Sequence, residues 1–426
     1  MSKKKVLIVT YYWPPAGGPG VQRWLKFVKY LPDFNIEPIV YTPDNPNYPI
    51  VDNSLLNDVS ENITILKRPI REPYKLAGLI SKKKSTAMRK GFIPDPKNQN
   101  LIERIMLFIR GNFFIPDARI GWVAPSVEYL SGYIQKNNIG TLITTGPPHS
   151  LHLIGLELKK TLGLRWIADF RDPWTSIGYQ KHLKLTKRSK RKHKALEREV
   201  LQTADQIIVT SNITKLDFEN LTNVPVEVIT NGYDYEPLPN ITLDEKFSLS
   251  HIGSLLSERN PIILWQVLRE LIDENDVFAS SFQLNLVGAV SEAVVRSIHQ
   301  YGLEHYMNST GYIPHADSLQ YQRQSQLLLL IEIDSKETTC IVPGKLFEYM
   351  VSNRPILALG PKGSEVERII KDTNTGKYLR YSDRDRLKEV LLHYFTAYQK
   401  GELESHGIGL QKYARKSLTG ELSKLI

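Results

Sequence analysis

The sequence predicts an α/β protein with parallel sheets, divided into two domains. Short apolar runs of strand length alternate with longer segments of helical spacing along nearly the whole chain, as in strand–helix–strand units. The chain has 426 residues, more than one compact core ordinarily organises. A polar stretch at 235–246, carrying Pro237 and Pro239, splits the alternation into two series and reads as a linker.

In the first series, strands are expected at 6–10, 38–42, 63–66, 141–145, 166–170, 206–210 and 226–230. Val21 to Leu31 has helical spacing and follows the loop Gly17-Gly18-Pro19-Gly20. Residues 67–120 are irregular and basic, apart from one amphipathic stretch whose apolar positions are Leu101, Ile102, Ile105, Met106 and Ile109. These positions fit either the domain core or a membrane surface. The second series places strands at 248–252, 283–287, 307–312, 327–333 and 355–359, and the tail after Arg384 is helical in composition. The expected division is 1–236, 237–400, and a segment 401–426 that returns to the first domain.

A hydrophobic fraction of 41% and a charged fraction of 23% are those of a soluble globular protein. Cys340 is the single cysteine, so neither a disulfide nor a thiolate metal cluster can form within the chain, and a reducing compartment is expected. No apolar run approaches the ~20 residues that span a bilayer. The apolar start, Val6 to Val9, ends in Trp13-Pro14-Pro15 without a small-residue cleavage site, and reads as a strand, not a leader peptide. A cytoplasmic protein is expected, with peripheral contact at the inner membrane face as an extension.

That extension rests on charge. The net charge is +10, and Lys181, Lys184, Lys187, Arg188, Lys190, Arg191, Lys192 and Lys194 crowd into residues 181–194. Such a run suits an anionic membrane or a phosphorylated lipid, or it is a solvated helix face, because Glu197 and Glu199 follow. No aromatic residues interleave with the cations, which argues against nucleic acid.

Polar groups collect where strands end, the place where parallel sheets bind ligands. The segment Pro343-Gly344-Lys345-Leu346-Phe347-Glu348 opens a helix behind the apolar run 327–333. Pro343 suits the first helical position, and the amides of Gly344, Lys345 and Leu346, with the Lys345 charge, are expected to face an anion. Glu348 can accept hydrogen bonds from sugar hydroxyls. Gly253 ends the first strand of the second series, and Arg259 beyond it suits the charge developing on a departing diphosphate. Gly17 and Gly18 allow close approach of a ligand to the backbone. Asp169, Arg171, Asp172 and Trp174 lie at one strand end of the first series, and His149 and His152 at another. Asp172 and His149 are candidates for proton transfer, whereas Asp169 with Arg171 also fits a structural ion pair and His152 a satisfied core histidine. The glycine loop is not a GxGxxG fingerprint and Pro43 stands where an acidic ribose ligand would be, which disfavours a nicotinamide cofactor. No metal-binding motif occurs, and Glu332 with Asp334 lies in an apolar strand.

Together, the glycine loop, Asn231-Gly232-Tyr233-Asp234, Ile252-Gly253-Ser254-Leu255 with Arg259, Val287-Gly288, and Pro343-Gly344-Lys345 with Glu348 and Arg354-Pro355-Ile356 resemble the retaining glycosyltransferases of family 4, which have the GT-B fold of two Rossmann-like domains facing each other across a cleft. The Gly146–Ser150 and Asp169–Trp174 segments resemble a branch that builds bacterial surface polysaccharides, including lipopolysaccharide. The resemblance implies that the second domain binds a nucleotide-diphosphate sugar through Gly253, Arg259, Pro343, Gly344, Lys345, Leu346 and Glu348, with Gly17 and Gly18 near the diphosphate. It implies that the first domain binds a glycan or lipid-linked acceptor, here through Asp169, Arg171 and Trp174. It also implies transfer with retained configuration, no metal and no cofactor beyond the donor. Cys340 stands where the family has a first glutamate and Ser254 where it has an arginine, and both changes bear on the sugar. An epimerase of the same fold, acting on nucleotide-sugars, and a non-enzymatic basic protein binding lipid or nucleic acid are the competing readings.

Overall fold

The computed structural model describes residues 3–72, 101–176, 183–234 and 241–426. The chain forms two compact units, 1–230 with 415–426, and 231–414. The first contains a seven-stranded sheet in the order β3-β2-β1-β4-β5-β6-β7. Its strands are β1 (Lys4–Val9), β2 (Ile36–Pro43), β3 (Thr64–Arg68), β4 (Thr141–Gly146), β5 (Arg165–Phe170), β6 (Gln206–Val209) and β7 (Val226–Val228). Every pairing is parallel, with Val6 beside Thr141 and Val6 beside Pro38 on either side of β1. Alternation sends Leu7 and Val9 to one core and Val6 and Ile8 to the other, so both faces are covered.

The second unit repeats the design with six strands in the order β10-β9-β8-β11-β12-β13. These are β8 (Phe247–Ile252), β9 (Phe282–Val287), β10 (Met307–Gly311), β11 (Leu327–Ile331), β12 (Ile356–Gly360) and β13 (Gly376–Arg380). The unbroken apolar sequence of β11 is buried throughout, as a central parallel strand requires. In both sheets the strand order reverses beside the first strand, at β1/β4 and at β8/β11, and a ligand crevice belongs at the carboxyl ends there.

The division between units differs from the expected one. It falls after 230 instead of 236, and the returning segment starts at 415 instead of 401. The Tyr233 amide donates to the Tyr413 carbonyl, and Leu403 is buried in the second core, so 401–414 stays with the second unit. Helix Arg415–Leu425 then inserts Leu418 and Leu422 beside Trp24 and Val28 in the first unit. Part of the expected linker, 235–240, lies outside the described residues, as does 73–100 of the irregular basic stretch.

Two elements depart from the sequence reading. Strand β13 was not anticipated; it lies at the sheet edge and fully buries only Leu379. Helix Leu101–Phe113 packs inward through Leu107 and Gly111 and turns Leu101, Ile105, Phe108, Ile109 and Phe113 outward, so most of its apolar face is not core. No helix among the described residues is long and apolar enough to cross a membrane.

Candidate functional site

In the second unit, the chain leaves β8 at Gly253 and β9 at Gly288 with φ of +121° and +124°, values that only glycine adopts without strain. They also make room: a Cβ on Gly288 would lie 2.6 Å from the Gly253 carbonyl oxygen, and one on Gly253 would lie 2.7 Å from Lys345 Nζ. The Lys345 side chain therefore crosses the end of β8 directly over a glycine.

Helix Lys345–Met350 is fixed from beneath. Leu346, Phe347, Tyr349 and Met350 are buried, and the Tyr349 hydroxyl accepts from the Ile252 amide at 2.9 Å. Pro343, Gly344, Lys345 and Glu348 remain half-buried on the other side. The helix begins two residues after Pro343, with Gly344 as N-cap, so Pro343 does not take the first helical position. The expected ring of three amides is also smaller. Leu346 donates its amide to the Pro343 carbonyl at 3.0 Å, which leaves the Gly344 and Lys345 amides without a hydrogen-bond partner among the described residues.

Lys345 Nζ lies 3.2 Å from His251 Nε2. His251 Nδ1 donates to the Leu329 carbonyl at 3.0 Å, which leaves the Nε2 lone pair for the ammonium. Burial first, then the Lys345 charge, keeps this imidazole neutral, well below its ordinary range. Burial and then Arg259 bring the Lys345 ammonium down to about 7, with Glu348 opposing. Arg259 is half-buried, its Nε is buried without a hydrogen-bond partner, and it forms no ion pair among the described residues. Lys345 forms none either. Two cations thus share a desolvated corner with a neutral histidine, an arrangement that an incoming anion would stabilise.

Glu348 accepts from His315 Nε2 at 2.9 Å and from Gln322 Nε2 at 3.1 Å, one bond per oxygen. A carboxylate oxygen can accept more than one hydrogen bond, so these two contacts are compatible with a ligand hydroxyl. From the sequence His315 stands at a strand-to-loop junction and fits either a structural or a functional role, but nothing local ties it or Gln322 to Glu348; both arrive on helix His315–Gln324. Glu332, read from the sequence with Asp334 as part of an apolar strand, stands just past β11, which ends at Ile331, and accepts from the Tyr378 hydroxyl at 2.7 Å and from Ser364 at 2.8 Å. Burial pushes the Glu332 carboxyl up to about 7. Cys340 is buried, with its thiol 3.9 Å from the Glu337 carbonyl.

In the first unit several assignments change. Asp169 is completely buried and accepts from Arg23 Nη2 at 2.8 Å, Trp24 Nε1 at 2.7 Å and Thr145 Oγ1 at 2.7 Å. Burial raises its carboxyl, but Arg23 and these bonds more than offset that, so it titrates below the ordinary range. Asp169 is a structural ion pair with Arg23, not an acceptor contact. Arg171 donates to the carbonyls of Gly20 at 2.6 Å, Gly146 and Pro147, tying three strand-end loops together. Trp174 is buried, donates to His193 Nδ1 at 3.1 Å, and stacks on His149 with ring centroids 5.1 Å apart. Neither Arg171 nor Trp174 presents a free group to an acceptor. His149 is buried with both ring nitrogens unbonded, and burial holds it neutral, so it sits beneath the surface as packing, not as a proton carrier. His152 Nδ1 shares a hydrogen bond of 2.9 Å with the Thr144 hydroxyl, which also accepts from Trp166 Nε1.

Asp172 keeps its candidacy. It is half-buried, and burial pushes its carboxyl up while Arg171 pulls it down. Gly17 donates its amide to the Ile50 carbonyl at 2.9 Å and packs against that side chain, a structural reason for glycine. Gly18 has φ +92° and faces open space.

No family model matches the chain, and no curated protein matches it. Solved structures do. Sucrose-phosphate synthase from Thermosynechococcus elongatus superposes with a TM-score of 0.63 at 12% identity, over 99% of this chain and 98% of that one. TarM of S. aureus, in complex with fondaparinux, α-GlcNAc-glycerol and UDP, gives 0.60 at 13% identity, over 99% of each chain. WaaG, a glycosyltransferase involved in lipopolysaccharide biosynthesis, gives 0.57 at 14%, over 99% of each chain. A putative UDP-N-acetylglucosamine 2-epimerase from Listeria monocytogenes gives 0.56 at 12%, over 99% of this chain and 95% of that one. The fold is GT-B.

Proposed function

We propose that this protein is a glycosyltransferase that moves a sugar from a nucleoside-diphosphate sugar to a polysaccharide or lipid-linked acceptor of a cell-surface glycan, with retention at the anomeric carbon. The observation that carries this reading is the pair Lys345 and Arg259. Neither forms an ion pair among the described residues, although Glu348 acts on Lys345 and Glu332 on Arg259 from a distance, and Lys345 is partly deprotonated by burial and by Arg259. A diphosphate supplies the missing counter-charge. The free amides of Gly344 and Lys345 add hydrogen bonds, and Glu348, held by His315 and Gln322, accepts the ribose hydroxyls. On this reading the second unit holds the donor. As the glycosidic bond breaks, charge grows on the leaving diphosphate, and Lys345 and Arg259 bind that state more tightly than the intact donor. In the first unit, Asp172 is assigned the role of orienting an acceptor hydroxyl, a reading supported by its half-buried carboxyl just past the end of β5.

Calorimetric titration with UDP and GDP tests the donor site, and a panel of nucleotide-sugars then names the sugar. Failure of every nucleoside diphosphate to bind would overturn the proposal. The likeness to the epimerase supports a second reading, in which the same site acts on a nucleotide-sugar alone. Turnover of a nucleotide-sugar to its epimer without any acceptor would establish that reading.

A further inference from the structure

The geometry points to a membrane-docking surface on the first unit, formed by helix Leu101–Phe113 and helix Lys187–Thr203, whose partner is an anionic lipid bilayer. The first helix offers the apolar part. Leu101 and Phe113 are 71% and 72% exposed, and Ile105, Phe108 and Ile109 are exposed between them. At helical spacing Leu101, Ile105 and Phe108 fall on one stripe, with Ile109 beside it, while Leu107 and Gly111 face the protein. A folded protein rarely turns so many large apolar side chains of one helix to water without a partner.

The second helix offers the charge. Lys187, Arg188, Lys190, Arg191, Lys192 and Lys194 are all exposed, and none of their side chains makes a hydrogen bond or ion pair among the described residues. Carboxylates that could neutralise such a helix are engaged elsewhere: Glu197 is buried and accepts from the Thr175 amide at 2.9 Å, and Glu199 pairs with Lys160 at 2.7 Å. Lys181 lies outside the described residues.

The structure joins the two helices end to end. Asn112 follows Phe108 by one turn and Ile105 by two, so it lies on the exposed apolar stripe. Its side chain donates to the Lys184 carbonyl at 3.3 Å and accepts from the Thr186 amide at 2.8 Å. Thr186 is the N-cap of the basic helix. A Cβ on Gly111 would lie 2.7 Å from the Leu183 carbonyl oxygen, so the segment before the cap packs tightly against the apolar helix. The cationic run therefore begins at the edge of the apolar stripe. An interface of this kind needs both signals, apolar insertion and attraction to anionic headgroups, because either one alone gives weak, reversible binding. This inference does not depend on glycosyl transfer: a chain that bound no nucleotide would still be retained by vesicles.

The test is co-sedimentation of the full chain with vesicles of phosphatidylcholine alone and of phosphatidylcholine mixed with phosphatidylglycerol, at low and high salt. Two surface variants accompany it, Phe108→Asp with Ile109→Asp, and Lys190→Glu with Arg191→Glu, each checked for an unchanged unfolding temperature. Wild type is expected to sediment with the anionic vesicles and to stay in solution with the neutral ones, and each variant to lose about tenfold or more in partition. The inference is overturned if wild type ignores anionic vesicles, or if the apolar variant binds them as wild type does. It is equally overturned if the apolar face proves to be a dimer contact, seen as a mass in solution that Phe108→Asp with Ile109→Asp halves, or if an oligonucleotide binds both wild type and the apolar variant and strips wild type from the vesicles.

Discussion

Lys345 allows the donor site to be tested through protons. In the free protein its ammonium titrates at about 7, because it is buried and faces Arg259, with Glu348 opposing and the neutral His251 accepting one N–H. A diphosphate about 4 Å away contributes on the order of 4 kcal/mol at an effective dielectric of 20, enough to return the group toward its ordinary range near 10. The value in the bound state is thus higher than in the free state. Affinity from this charge is fully present below pH 7 and is lost as pH rises, until the bound-state value is reached. Between pH 6 and pH 8 the charged fraction of free Lys345 falls about tenfold, so its contribution to Kd weakens about tenfold, or ~1.4 kcal/mol.

The nucleotide gains charge over the same range, an effect common to every variant. Lys345→Arg supplies the reference, since a guanidinium stays charged. The ratio of wild-type to Lys345→Arg Kd for UDP or GDP should rise about tenfold from pH 6 to pH 8. Titrations at pH 7 in two buffers of different ionisation enthalpy should show uptake of roughly half a proton by wild type and less by Lys345→Arg. A ratio that stays flat across this range, with equal proton uptake, would refute the claim that Lys345 meets the diphosphate.

Other substitutions separate binding from architecture. Glu348→Ala should raise the Kd for a nucleoside diphosphate about tenfold or more while changing that for inorganic pyrophosphate much less, since the carboxylate is assigned to the ribose and touches the diphosphate site only through its field on Lys345. Asp169→Ala leaves Arg23 buried without its partner; a loss of about 3–5 kcal/mol is expected, read by thermal unfolding as a fall of roughly 10 °C or more, with nucleotide affinity of the folded fraction unchanged. Gly155→Ala drives a methyl group into the Trp166 indole and should cost about 1–3 kcal/mol in chemical denaturation. Glu332 has a folded-state value of about 7 against 4.5 in the unfolded chain, so it favours folding when protonated and loses that contribution as pH rises through 7. Glu332→Gln should therefore raise the unfolding temperature at pH 8 more than at pH 5.

How much of this was legible in sequence follows from the reach of each interaction. The apolar run of β11 and the glycines after β8 and β9 are local signals: the glycines mark the ends of β8 and β9, whereas the apolar run reads on two residues past the end of β11 at Ile331. Strand β13 carried no such signal: as an edge strand that fully buries one leucine, Gly376-Lys377-Tyr378-Leu379-Arg380 reads as a polar turn. The sequence placed Asp169 at a strand end, where ligands bind, but could not show that Arg23, 146 positions away, would occupy the carboxylate. His315 and Gln322 reach Glu348 across 33 and 26 positions, again beyond any local motif.

Helix Leu101–Phe113 marks a different limit. Periodicity identifies a helix with an apolar side but cannot say which way that side faces, because burial and membrane insertion select the same residues. What settles the orientation is the inward-facing Gly111, where any side chain would collide with Leu183 and Leu185. Close packing on the glycine side leaves the opposite stripe of leucine, isoleucine and phenylalanine to water. The cations at 187–194 of the next basic helix also form no ion pair among the described residues. These two features would each be a liability for a protein free in solution, and a single anionic apolar surface would satisfy both.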